Sequence, residues 1–221
     1  MSLNVKRLVV QGSVKLGSPA PAGWTWDQQR SAVDLVISDG GRTVADFTYG
    51  EGVYNGSSLG NSVVAIGSER KMFTVKVSNA TQYMFVGFAN ASFNVENPLL
   101  GFNSVGVRSD GTVYNSDGSV QTDSCPAFTS TNDVVDIACS PASGGKWWYR
   151  VNGGAWSSVY GYTGGDPASD LYGFFLTTTA YENIYPAVTP NCNPIISSIP
   201  GVWTILDTPG GPVPSGYTFV A

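Results

Sequence analysis

Short runs of alternating apolar and polar residues, many stopped by a glycine turn, recur from Trp24 to Leu206 and restrict the chain to antiparallel sheet. Asp39-Gly40-Gly41, Asp110-Gly111, Asp117-Gly118 and Asn152-Gly153 stand at the ends of such runs. Asp-Gly and Asn-Gly supply the positive φ angles that tight hairpin turns require. No period of roughly 20–50 residues accompanies them, so they are turn chemistry and not an internal repeat. No stretch sustains an apolar period of about 3.6 residues, and helices are expected to be minimal.

Read in order, the expected strands are Ala32–Ser38, Thr43–Thr48, Val63–Ile66, Met72–Val77, Gln82–Phe88, Ser104–Arg108 and Thr112–Tyr114. Asp133–Cys139, Tyr172–Thr177, Tyr185–Val188 and Val202–Leu206 continue the series. The densest run, Lys146–Trp156, holds three of the six tryptophans. Alternation places Trp147, Tyr149 and Val151 on one face, with Trp148, Arg150 and Asn152 on the other. Asn152-Gly153 then predicts a two-residue hairpin turn, with Trp156 opening the returning strand. This many short strands imply an all-β, two-sheet antiparallel β-sandwich. Residues 1–23 read as an N-terminal arm or linker, 24–207 as the sandwich, and 208–221 as a Pro/Gly-rich C-terminal tail.

Charged residues make up 12% of the chain, about half the usual share. The surface is therefore largely Ser, Thr, Asn and Gly, which suits an extracellular or virion protein facing neutral partners. A net charge of −5, with scattered basic residues, argues against a nucleic-acid partner. The apolar runs are strand-sized, so no membrane insertion is expected, and the N-terminus lacks the apolar core of a signal peptide. Cys125, Cys139 and Cys192 have neither zinc-like nor redox spacing. Cys125 and Cys139 are placed to bridge a loop, but reduced thiols are the expectation for a chain made in a cytoplasm.

The chain has no histidine, which removes Ser-His-Asp and Cys-His catalysis and most transition-metal sites. Glycoside hydrolysis needs two facing carboxylates. Asp133 and Asp136, at odd spacing on one strand, point to opposite faces. A calcium loop over Ser109–Ser119 fails on Val113 and on the missing closing Glu. No catalytic residue, metal or cofactor is expected.

The order of segments resembles the SPRY (B30.2-like) family of concanavalin-like sandwiches. The resemblance is carried by Phe73-Thr-Val-Lys-Val77, Val86-Gly-Phe-Ala89, Gly106-Val-Arg-Ser-Asp-Gly111 and Asp133-Val-Val-Asp-Ile137. Tyr149-Arg-Val-Asn-Gly153 and Tyr185-Pro-Ala-Val188 complete it. The variant Trp147-Trp148-x-Arg150-Val-Asn-Gly, followed by Gly164-Gly-Asp-Pro167, looks like SPRY-like domains of bacteriophage structural proteins. The resemblance implies a SPRY/concanavalin-like jelly roll with Trp147, Tyr149 and Val151 inward. It also implies a non-enzymatic binding module whose loops at one end meet a partner, in a phage virion.

Loops on such a scaffold are where binding residues concentrate. Trp156, Tyr160, Tyr162 and Asp166 form an aromatic, glycine-rich stretch suited to stacking on a pyranose, and Trp148 is either a further platform or covered by a loop. A second candidate loop carries Tyr49, Glu51, Tyr54 and Asn55, and a third, rich in amides, carries Asn94. The expected function is a virion protein of tail fibre, tail tip or head fibre that binds a host-surface polysaccharide or protein receptor. The alternative is a capsid or tail decoration contacting other virion proteins; a polysaccharide depolymerase ranks below both. A homo-oligomer is compatible with either.

Overall fold

The computed structural model describes residues 23–46, 56–61, 69–81, 83–99, 103–115, 120–121, 125–140, 145–159, 164–175, 184–190 and 200–221. The arm up to residue 22, the Val63–Ile66 strand, the 49–55 loop and Cys192 lie outside these residues. Two sheets pack face to face, essentially without helix. The first takes the order β1(Trp26–Ser31), β4(Ser58–Gly60), β13(Ile184–Thr189), β6(Phe85–Asn90), β7(Ser104–Arg108), β8(Val113–Tyr114), β9(Val120–Gln121). The second runs β12(Phe174–Phe175), β11(Lys146–Val151), β10(Val134–Ser140), β5(Arg70–Asn79), β14(Val202–Ile205), β3(Thr43–Asp46), β2(Leu35–Ser38). There β15(Tyr217–Phe219) also pairs with β5, in parallel.

The core between the sheets follows the alternation of the sequence. Phe73, Val75 and Val77 of β5 meet Val135, Ile137 and Cys139 of β10 and Trp147 and Tyr149 of β11. From the opposite sheet come Val86, Phe88, Val105, Val107 and Val188. Aromatic rings run through this layer edge to face, from Trp26 and Trp24 to Phe73, Phe88 and Trp147. Such geometry sets the positive ring edge against a negative ring face.

Much of both outer faces is also covered, which sequence periodicity alone does not reveal. Over the first sheet, Phe93 and Leu99 close a second apolar cluster on Leu59, Phe85, Ala89 and Ala187. Gly87 and Gly106 face each other across β6 and β7 beneath this cover. A Cβ on Gly87 would lie 2.0 Å from the Val105 carbonyl oxygen, so the close strand approach requires glycine.

Three sequence expectations are revised. Ala32–Ser38 is not one strand: the Leu35 N–H closes a turn on the Ala32 carbonyl while the chain passes from β1 in one sheet to β2 in the other. Trp156 does not open a returning strand. Asn152 and Gly153 do adopt positive φ (52° and 68°), and the Gly154 N–H closes the turn on the Val151 carbonyl. Yet the Ser157 N–H bonds the Tyr149 carbonyl, one residue beyond the register of such a hairpin, and the Ser157 hydroxyl accepts the Tyr149 N–H. A side chain thus takes the place of a ladder carbonyl, and β11 pairs with β12 instead. Finally, the 208–221 tail is built into the sandwich, since β15 lies along β5 and the Val220 N–H bonds the Met72 carbonyl. Cys125 and Cys139 are both buried free thiols, as the reduced reading expects, and burial pushes Cys139 up to about 12.

Candidate recognition surface

The glycine-rich stretch between β11 and β12 forms a pinned platform over the outer face of the second sheet. Gly164 and Gly165 N–H groups both reach the Trp156 carbonyl, and Asp166 and Leu171 exchange backbone bonds at 3.1 and 3.0 Å. Asp166 accepts the Ala168 N–H and so caps a single 3-10 turn, Pro167–Ser169. Lys146 donates to the Asp170 carbonyl at 2.7 Å, and Arg70 holds both the Ala168 carbonyl and the Asp170 carboxylate. These contacts fix the loop from two strands below it.

Trp148 is a correction to the list of candidate ligand contacts. Its ring is fully buried, and its Nε1–H donates to the Leu171 carbonyl at 2.9 Å. Gly165 and Gly173 lie so close that a Cβ on either would fall within 2.8 and 2.5 Å of the indole. The indole is the foundation of the platform and offers no face to a sugar. Trp156 is half-buried, with the Arg150 guanidinium 4.3 Å from its ring centroid, so one face is already occupied. Asp166 is half-buried and spends one oxygen on its cap. Asn94 is exposed in the cover of the other sheet, accepting the Glu96 N–H, and is not brought together with Trp156. Tyr160, Tyr162, Tyr49, Glu51, Tyr54 and Asn55 lie outside the described residues.

The residues that sequence reasoning missed are Leu171, Tyr172 and Phe175, exposed at 48%, 52% and 50%. Phe174 points into the core while Phe175, next on the edge strand, points out. Tyr172 has φ 55°, and Asp170 before it also has φ 55°. A left-handed backbone is unusual for a bulky side chain and costs roughly 1 kcal/mol or more. The Tyr172 carbonyl is nonetheless held by the Val159 N–H at 2.8 Å. The only sequence signal was the adjacent pair Phe174-Phe175, which alternation must split between core and surface.

Among the described residues no group of three or more Cys, Asp or Glu side chains gathers as a metal site would require. Asp133 binds Asn152 and the Ser130 N–H, while Asp136 is fully buried against Arg150. The two carboxylates therefore share no cleft. At the β7–β8 turn, Arg108 donates to both oxygens of Asp110 and to the Tyr114 hydroxyl, with the Tyr83 ring 4.8 Å away. Partial burial pushes the Asp110 carboxyl up. The Arg108 hydrogen bonds and charge, with the Thr112 N–H and hydroxyl, outweigh that and hold it at about 2.

No family model matches the chain, and no curated protein matches it in sequence. Solved structures do. The SPRY domain of human HERC1 superposes with a TM-score of 0.57 at 15% identity, over 82% of this chain and 97% of that domain. The TRIM65 PSpry domain gives 0.56 at 13% identity, over 84% and 90%. Stonustoxin gives 0.52 at 9% identity, over 83% of this chain, which spans 27% of the toxin chain. At such identities the likeness is one of fold, and it agrees with the two-sheet topology: this chain folds as a SPRY-type β-sandwich.

Proposed function

We propose that the chain is a non-enzymatic recognition module of a bacteriophage virion, binding a host-surface glycan through the platform between β11 and β12. The observation that carries this reading is Tyr172, a half-exposed aromatic ring on a left-handed backbone that two strands and a capped turn hold in place. Strain kept in a well-fixed loop is a reason to look for function there. Tyr172 and Phe175 supply flat apolar surface for the face of a pyranose. Asp166, Ser169 and the exposed Gly164 backbone supply polar groups in the same loop for sugar hydroxyls. The virion setting rests on the resemblance of the Trp147–Gly153 stretch to phage structural proteins.

A glycan array probed with the purified chain, followed by host-cell binding, tests the proposal. Tyr172→Ala and Phe175→Ser are each expected to lower binding at least tenfold, a loss of about 1.4 kcal/mol, while leaving the thermal midpoint within a few degrees. Absence of glycan and cell binding by the parent chain, or equal binding by both variants, would overturn it. The second reading, an adaptor docking on another virion subunit, is favoured by the exposure of Leu171 beside Phe175, which is more apolar than sugar sites need. It requires that Leu171→Ser abolish incorporation into particles while glycan binding persists.

A further inference from the structure

The outer face of the second sheet carries a charged pair whose cover comes from far along the chain. Asp136 and Arg150 sit opposite each other on β10 and β11 and point away from the core. Asp136 is nevertheless fully buried and Arg150 nearly so. Arg150 Nε donates to Asp136 Oδ2 at 2.7 Å, and Thr74 Oγ1 donates to Oδ1 at 2.6 Å. The remaining bonds come from the segment after β14. The Gly210 N–H donates to Asp136 Oδ1 at 2.9 Å, and Arg150 Nη2 donates to the Pro212 carbonyl at 2.9 Å. Two buried charges thus bond the bent segment after β14 through an N–H at one residue and a carbonyl two residues later. The close approach favours glycine: a Cβ on Gly210 would lie 2.8 Å from Val134 Cγ1, and one on Gly211 2.9 Å from Arg150 Nη2 and 3.0 Å from Gly153 Cα.

The covering segment buries little, since every residue from Asp207 to Ala221 is at least partly exposed and Val220 is what it packs against the core. It leaves the sheet after Leu206, whose N–H bonds the Thr74 carbonyl, and returns as β15. That return makes the only parallel pairing among the described strands. Pro209, Pro212 and Pro214 stiffen the excursion between. A lightly buried segment behind a short, stiff connection is the arrangement that exchanges between copies at low cost.

We propose that the groove over β5, β10 and β11 is an acceptor site for residues 209–219 of a second copy of this chain. Paired molecules would exchange these strands, each filling the other's groove. The chain's own segment fills it in the single molecule, and an identical segment makes the same bonds to Asp136, Arg150 and the β5 edge. Only the path through Asp207 and Thr208 differs. The contact is two-fold symmetric and closes on itself, so exchange yields dimers and not filaments.

Thr218 lies opposite Lys71 in the β15–β5 register, which allows a direct test. Full-length Lys71→Cys and Thr218→Cys chains, refolded together at high concentration and oxidised, can form a 71–218 disulfide only between molecules. The expected result is a disulfide-linked dimer that rises with protein concentration and maps to residues 71 and 218 by mass spectrometry, distinct from links through native cysteines. The double variant, dilute, should close within one molecule and so establish that the two positions meet. Closure within one molecule with no interchain link at any concentration would overturn the proposal. If the double variant does not close, sedimentation of the unaltered chain decides. A concentration-dependent dimer dissociated by a peptide of residues 208–221 supports exchange, and a monomer throughout sinks it.

Discussion

Arg150 shows how one residue joins three distant segments, and what its loss would reveal. A buried ion pair adds little net stability over an apolar pair of similar shape, but removing one partner strands a charge. Arg150→Met should therefore cost about 3–5 kcal/mol in urea denaturation, while Asp136→Leu with Arg150→Met should recover most of that loss. Equal loss in the single and double variants would show that the bonds to Thr74, Gly210 and Pro212, and not the charge pair, are what matter. Alternation told correctly which way Arg150 and Trp148 point. It did not tell that the outward side is roofed, because the roofing atoms belong to Leu171, Gly210 and Pro212 and arrive through contacts of long sequence separation. Alternation therefore left Trp148 open between a stacking platform and a residue under a loop, and the contacts with Leu171 put it under the loop.

Among the elements, the hairpin of β7 and β8 carries its own pH dependence. Asp110 sits at about 2 against an ordinary 3.8, so its ionised form favours the folded state. That contribution is complete above the ordinary value and disappears as pH falls through the lowered one. In thermal melts, Asp110→Asn should therefore be less stable than the parent at neutral pH, and the gap should close as the pH approaches about 2. A gap that stays constant between neutral pH and about pH 2 would assign the loss to turn geometry and not to charge. The Asp110-Gly111 turn was legible because its chemistry is local, with the Gly111 N–H bonded to the Arg108 carbonyl at 2.8 Å. Likewise β7 spans Ser104–Arg108 as its alternation predicts. By contrast β4, only Ser58–Gly60, is too short to alternate, and β1 (Trp-Asp-Gln-Gln-Arg-Ser) offers one apolar residue at a sheet edge. β15 was hidden by its proline- and glycine-rich approach, which reads as linker whenever its acceptor strand is unknown.

For the molecule as a whole, covered outer faces restrict where a partner can meet it. Phe93 and Leu99 close one sheet, and the platform with the tail closes much of the other, which leaves loops and edges such as β12. The fold class was readable since alternation and turns are properties of single segments. The recognition surface was not, because Tyr172 and Phe175 become a surface only when β12 takes the edge beside β11. One further contact sets how the sandwich bears load. The Trp24 N–H donates to the Ala221 carbonyl at 2.9 Å, and the Trp24 indole donates to the Val220 carbonyl at 3.1 Å. Tension applied at residues 24 and 221 would thus pass between two touching points at one corner. Such tension loads these two hydrogen bonds first, then peels β1 and β15 from their edges before it reaches the central strands of either sheet.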